Sequence, residues 1–301
     1  MTSIKSHRIR ESRGDRIFMF FLYLFLIICF ILVFYPLLFV VSASFSSPSA
    51  VTNGEVWLFP VQPTLMGYQA VFKNQQILSG FANSFYYMIF GTIFSIFLTM
   101  LAAYCLSRKE LYGKNIFTWL FVFTMLFSGG LIPLFLLVKN LNMYDTRWSM
   151  IIPSALSVWN LIIARSYIQT TIPDELYEAA ELDGCNDFGF LAKIVMPLSK
   201  PIIAVLVLFY AIGQWNSYFN AIVFLQSQDL FPLQIILRNI LVLNNVDPTM
   251  VKDFNALLRQ QGLSTLLKYS VIVVASVPVL CIYPFVQKHF VKGMMIGSIK
   301  G

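Results

Sequence analysis

Residues 17–41 read IFMFFLYLFLIICFILVFYPLLFVV, 25 positions without a charged side chain. A helix needs roughly 20 apolar residues to cross the hydrocarbon core of a bilayer, so this run can span one with some tilt. A signal-peptide core is shorter, about 7 to 15 residues, and ends at a small-residue cleavage site. Ser42, Ala43 and Ser44 supply small residues, but the length of the run and Pro36 within it favour a helix that stays in the membrane.

The pattern recurs outward from this stretch. Further apolar segments cover 81–106, 116–138, 148–168, 201–225 and 269–290, which makes six in all. The 301 residues are 58% hydrophobic and 12% charged, with a mean hydropathy of +0.73, whereas soluble domains are about half apolar and a quarter charged. In lipid only a helix satisfies every backbone group within one segment, and these runs exceed the roughly ten-residue strands of a membrane barrel. The expected fold is an all-α integral membrane bundle of six transmembrane helices.

The net charge of +7 does not point to nucleic acid, because the basic residues flank apolar runs instead of sharing a face with interleaved aromatics. They orient the chain. With the N-terminus in the cytoplasm, 14 of the 21 lysines and arginines lie inside, as the positive-inside rule requires. The expected organisation is a basic N-terminal segment (1–16), a transmembrane domain (17–290) and a C-terminal tail (291–301), with both termini cytoplasmic. Two long segments, 42–80 and 226–268, then face outward, and one, 169–200, faces inward.

Several chemistries are excluded. No Gly-x-x-x-x-Gly-Lys-Ser/Thr phosphate loop occurs, so energy from ATP has to come from another subunit. His7 and His289 have no constellation around them for metal binding or nucleophilic catalysis, and the four cysteines lack metal-type spacing. The spans carry no acidic residue for a proton relay. The chain is expected to bind no metal and no cofactor and not to be an enzyme.

The inward loop is unusual in carrying Asp174, Glu175, Glu178, Glu181, Asp183 and Asp187 against Lys193 and Lys200. An acidic patch on a side where loops are normally basic suits a basic protein partner. Pro173 followed by two acids predicts a helix start with proline at N1 and carboxylates at the positive helix end. Gly184 suits a left-handed C-terminal cap, Asn186 and Asp187 can open a second short helix, and Pro197 and Pro201 end it. Ala179 and Ala180 make one side of the first helix small enough to enter a cleft. Two readings stand on these residues alone: a docking knob and a solvated linker helix.

The identities Glu178-Ala179-Ala180, Gly184, Ile194 and Met196-Pro197, at their spacing, resemble the EAA motif of permease subunits in binding-protein-dependent ABC importers. Met196 stands where leucine is usual and Cys185 where alanine is common. The resemblance implies that the loop docks into an ATPase subunit through Glu178, Ala179, Ala180, Asp183 and Gly184. Asn83-Ser84, the stretch Ala103 to Arg108, and Trp215-Asn216 look like carbohydrate permeases of the maltose type. Phe127-Ser-Gly-Gly-Leu-Ile-Pro133 and the ending Phe290-Val-Lys-Gly-Met-Met-Ile-Gly-Ser-Ile-Lys-Gly301 look like the branch that imports oligosaccharides derived from complex heteropolysaccharides.

The resemblance implies a second, different permease subunit, two ATPase subunits that hold ATP and magnesium, an extracytoplasmic solute-binding protein, and a place in the bacterial cytoplasmic membrane. An importer of a non-sugar solute is the alternative, since the coupling motif also occurs in those systems. Polar residues inside a span are costly unless they line an aqueous path or pair within the bundle. Gln214, Trp215, Asn216 and Tyr218 are the candidate substrate path, with amides for sugar hydroxyls and rings for pyranose faces. Interhelical hydrogen bonding is the other reading of Gln214 and Asn216. Asn160 and Trp159 are weaker candidates. Gly129, Gly130 and Pro133 predict a kink or a close helix contact. The glycine-rich tail reads either as a loose end or, by resemblance, as a contact with the ATPase subunits.

Overall fold

A computed structural model describes residues 12–241 and 263–298, and every regular element among them is helical. The basic positions Lys5, Arg8, Arg10, Lys252, Arg259 and Lys300 lie outside the described residues, as do residues 242–262 of the segment 226–268 and the last three residues of the tail. The described residues fall into two compact units, 12–71 with 263–273, and 72–241 with 274–298.

In the first unit, α1 (Arg13–Ser44) begins ahead of the apolar run because Ser12 and Asp15 close a capping box. The Asp15 N–H donates to Ser12 Oγ and the Ser12 N–H to Asp15 Oδ2, each at 3.1 Å. The apolar side chains along α1 stay exposed, as befits a helix whose solvent is lipid. Its last turn is buried: Ser42 Oγ donates to the Leu58 carbonyl at 2.6 Å, and Ser46 Oγ accepts from the Val61 N–H at 3.0 Å. The small residues Ser42 and Ser46 therefore pin the chain that follows, which includes α2 (Pro48–Thr52) and leads into α3 (Met66–Lys73).

The second unit is organised around α4 (Gln75–Ser107), a 33-residue helix without proline. Asn74 Oδ1 caps it by accepting from the Gln76 and Ile77 N–H groups. Gly80, Ser84, Tyr87, Gly91, Ser95, Thr99 and Ala103 recur every three or four residues and are all buried. Such a small and hydroxyl-bearing stripe lets helices approach closely in lipid, where apolar area gives no driving force between them. Next come α5 (Lys114–Leu126), α6 (Leu131–Asn140), α7 (Trp148–Ile151), α8 (Val158–Thr171), α9 (Asp174–Leu182), α10 (Asp187–Phe190), a π-helical turn (Leu191–Val195), α11 (Met196–Leu198), α12 (Lys200–Trp215), α13 (Tyr218–Phe224) and α14 (Leu233–Leu241). The final helix, α15 (Leu263–Ser298), supplies residues to both units and carries the tail in helical form to Ser298. α8, α12 and α14 pack along α4.

The all-helical architecture is as expected, but the segments differ in continuity. α1, α4 and α15 each contain an unbroken helix long and apolar enough to cross a membrane. Segment 116–138 is a pair, α5 and α6, bent by 114°. The break lies at Gly130, whose φ of +88° and ψ of 172° are open essentially to glycine alone. Segment 148–168 is interrupted after α7 and resumes where Ser157 caps α8. Segment 201–225 divides into α12 and α13 at Asn216, and α12 meets the preceding short helices at 81°. Hydrogen-bonding side chains and prolines at these points offer the backbone alternatives to a continuous helix.

Candidate functional site

The loop 169–200 folds as a helix-turn-helix. Pro173 sits one position before the expected N1, as the N-cap of α9. At the other end Gly184 takes φ +77°, the Cys185 N–H donates to the Ala180 carbonyl and the Gly184 N–H to the Glu181 carbonyl, each at 2.9 Å. This pair of bonds is a Schellman motif, in which a left-handed glycine lets the last carbonyls be satisfied. Asn186 Oδ1 accepts from the Gly189 N–H at 2.7 Å and opens α10.

Ala179 and Ala180 do not share a face: Ala179 is exposed, while Ala180 is buried against the loop's own support. The outward stripe is Glu175, Glu178, Ala179 and Leu182, at positions i, i+3, i+4 and i+7, with Asp183 and Gly184 exposed at its end. Leu182 is 90% exposed and Phe188, on α10, is 75% exposed. Large apolar side chains held in the open beside several carboxylates have the chemistry to dock a partner that is basic at its rim and apolar within. Neither residue stood out in the sequence, because a single Leu or Phe is silent until its neighbours are placed.

The loop is fastened to the end of α4. The Tyr104 hydroxyl donates to Asp187 Oδ1 at 2.9 Å and the Tyr177 hydroxyl to the same oxygen at 3.3 Å. The Arg108 guanidinium lies over the Tyr177 ring, 3.2 Å from its centroid, and pairs with Glu110 at 3.0 Å. Phe190 meets the Tyr177 ring edge-on. Asp174 pairs with Lys109; that hydrogen bond holds the Asp174 carboxyl below its ordinary value and the Lys109 ammonium above its own. Arg165 Nε donates to the Leu106 carbonyl at 3.1 Å, placing a cation on the negative end of α4. Burial, more than the Asp187 charge, raises the Tyr177 hydroxyl.

The candidate path residues separate. Gln214, 4% exposed, borders a concavity of about 340 Å³ together with Ser154, Ser157, Asn160, Tyr210, Ser217 and Asn220 among others. Its Nε2 donates to Ser154 Oγ at 3.1 Å, and its amide lies against Gly91 of α4. Trp215 is 1% exposed; its Nε1–H donates to the Ala275 carbonyl at 3.2 Å and its ring packs on Phe81 and Phe85. It is therefore a packing residue, with no free face for a sugar. Asn216 is exposed and donates to the Ile212 carbonyl at the end of α12, while Tyr218 is 46% exposed. Trp159 is exposed, and Asn160 is buried beside Gln214's concavity. Ser154 and Ser157 do not stand out in the sequence, because they fall in the break between α7 and α8, which reads as continuous apolar sequence.

A family model described as the binding-protein-dependent transport system inner membrane component matches residues 95–296, which include both the helix-turn-helix and the Gln214 concavity. The chain belongs to this family. It is a permease component of an ABC transporter and a multi-pass membrane protein. Relatives of this permease include LplC of Bacillus subtilis (strain 168), 38% identical over 296 residues, 98% of this chain and 99% of LplC. The polygalacturonan/rhamnogalacturonan transport system permease protein YtcP of the same organism is 40% identical over 287 residues, 95% of this chain and 99% of YtcP. A crystal structure of a bacterial ABC transporter involved in the import of the acidic polysaccharide alginate matches with a TM-score of 0.88 at 34% identity, over 94% of this chain and 99% of that one.

Proposed function

We propose that this permease is one membrane half of an ATP-driven importer of oligosaccharides released from a complex polysaccharide, with its termini and the helix-turn-helix in the cytoplasm. The observation that carries the reading is the α9–α10 knob, whose exposed Glu178, Ala179, Leu182, Asp183 and Gly184 are mounted on α4 by Tyr104 and Arg108. A rigid mount allows force from a moving partner to reach the bundle. ATP and magnesium belong to two ATPase subunits docked there, and this chain binds neither.

The concavity around Gln214 supports a carbohydrate cargo. It offers amides and hydroxyls, with no charged residue among those that line it, which suits a ligand rich in hydroxyl groups. The relatives named for polygalacturonan/rhamnogalacturonan and the alginate importer support the same class. Gln214 and Asn220 contact the sugar as it passes, Asn216 and Tyr218 stand at the break between them, and Trp215 holds that break in place.

Exposed backbone in the third apolar segment supports a second permease subunit. The backbone at residues 127–130 leaves helical hydrogen bonding between two apolar helices and is exposed. At membrane depth such backbone is tolerated only against protein or a water-filled cavity. A solute-binding protein delivers cargo to the outer face.

The test is ATP hydrolysis by the assembled complex in lipid, with its binding protein, across neutral and acidic oligosaccharides. Stimulation by one sugar class is expected. Response to a non-sugar solute alone would reject the carbohydrate reading while keeping the permease.

A further inference from the structure

We propose that α4 is a rigid rod that carries the state of the external segment 226–233 to the cytoplasmic coupling loop, with Asn83, Ser84 and Tyr87 as the positioning residues of its outer grip. The inference rests on the importer reading above.

The outer grip is built on one face of the helix. Gly80, Asn83, Ser84 and Tyr87 are spaced i, i+3, i+4 and i+7. Asn83 Nδ2 donates to the Asp229 carbonyl at 2.6 Å and the Phe231 carbonyl at 3.1 Å. The Tyr87 hydroxyl donates to the Leu230 carbonyl at 2.8 Å, and Ser84 Oγ accepts from the Leu233 N–H at 2.8 Å. A Cβ on Gly80 would lie 3.2 Å from Leu233 Cα, so glycine is what allows the segment this close. Every one of these bonds reaches backbone, so the grip holds the path of the segment whatever its side chains contact. A second fastening lies alongside: the Gln226 and Ser227 N–H groups donate to Asp145 Oδ1 at 2.9 Å, and Ser227 Oγ donates to Oδ2 at 2.6 Å. These bonds from Ser227 and Gln226 hold the Asp145 carboxyl below its ordinary value. Arg147 Nη2 donates to Asn83 Oδ1 at 3.4 Å and its guanidinium stacks on Tyr86, so this external cation is committed to the protein itself.

The inner grip is the Tyr104, Arg108 and Arg165 cluster on the coupling loop. Ser84 and Tyr104 are 20 residues apart, about 30 Å along an unbroken helix at 1.5 Å per residue. A displaced external segment must either break buried hydrogen bonds, each leaving an unpaired backbone group, or take α4 with it. On the face of α4 that α8, α12 and α14 leave uncovered, movement of the helix meets little resistance. Ile89, Ile93 and Phe97 form an exposed apolar stripe there, which slides in lipid at small cost.

The test uses the complete importer in lipid, with its ATPase subunits and loaded binding protein. Ser84→Ala and Tyr87→Phe, singly and together, remove hydroxyls without changing the helix. Ile89→Leu on the exposed stripe is the control. The expected result is a maximal stimulation lowered about fivefold or more, the lower end of measured allosteric couplings. Unstimulated hydrolysis and the binding-protein concentration for half-maximal effect stay unchanged. A shifted half-maximal concentration with an intact maximum would reduce the grip to a shaper of the docking surface and overturn the rod. Equal loss of basal and stimulated rates would make it a stability element and overturn it too. Full stimulation of the double variant rejects the rod while leaving the importer reading intact. A wild-type complex that no loaded binding protein stimulates rejects the importer reading, and the rod with it.

Discussion

At the scale of single residues, Gly184 and Trp215 show how differently the sequence speaks. Gly184 is legible because its requirement is local: a helix that ends in a Schellman motif needs φ > 0 at that position, whatever surrounds it. No atom lies within 4 Å of a Cβ built there, so a substitution is penalised through backbone strain and not through collision. A left-handed conformation costs an ordinary residue about 1–2 kcal/mol, more when β-branched, while asparagine tolerates it. Gly184→Val is therefore expected to lower sugar-stimulated ATP hydrolysis about tenfold, and Gly184→Asn to stay near wild type; full transport by the valine variant would remove the coupling role. Trp215 was not legible beside Gln214, because its burial is decided by Phe81, Phe85 and the Ala275 carbonyl, all far away in sequence. Trp215→Phe should cost about 0.5–1.5 kcal/mol through the lost Nε1–H hydrogen bond and lower the unfolding temperature of the complex. The order in which different oligosaccharides stimulate hydrolysis should not change, and a changed order would return Trp215 to the path.

At the scale of elements, helix existence could be read from apolar runs, but helix continuity could not. The helix-turn-helix announces itself with Pro173, Gly184, Asn186, Pro197 and Pro201, each a local stop or start. The interruptions at 152–157 and at Asn216 serve the Gln214 concavity, which forms where the 152–157 break, α8, α12 and α13 meet, and no single run records that meeting. The α4–α12 contact is tight enough to test. A Cβ on Gly91 would fall 2.8 Å from the Gln214 amide, whose far end can swing away while the helices stay packed. Gly91→Ala is thus expected to leave assembly intact but break the Gln214–Ser154 hydrogen bond, a net loss of about 0.5–1.5 kcal/mol. That corresponds to a two- to tenfold fall in the rate of sugar uptake by proteoliposomes, at about RT ≈ 0.6 kcal/mol. Unchanged uptake would show that Gln214 only joins helices, as the sequence also allowed.

At the scale of the whole molecule, the arrangement of exposure argues that this chain is incomplete by itself. No side chain of α5 is buried, and only Val138 of α6 is, although the two helices flank a break that leaves non-helical backbone exposed. Lipid can solvate the apolar side chains, but it offers nothing to the freed N–H and C=O groups near Ser128, Gly129 and Gly130, each costing several kcal/mol if unpaired in hydrocarbon. The Gly130 N–H finds Ser128 Oγ at 3.1 Å, a partial local remedy in which a side chain stands in for the missing turn. A partner permease covering the break would supply the rest, and its binding to the folded chain would stabilise it by mass action. Co-expression with the partner subunit is expected to raise the unfolding temperature of this chain in nanodiscs and to protect amides 127–131 from hydrogen exchange. If the chain alone shows the same melting temperature and the same protection, its own fold or bound water satisfies the break, and the argument from exposed backbone to a second permease fails.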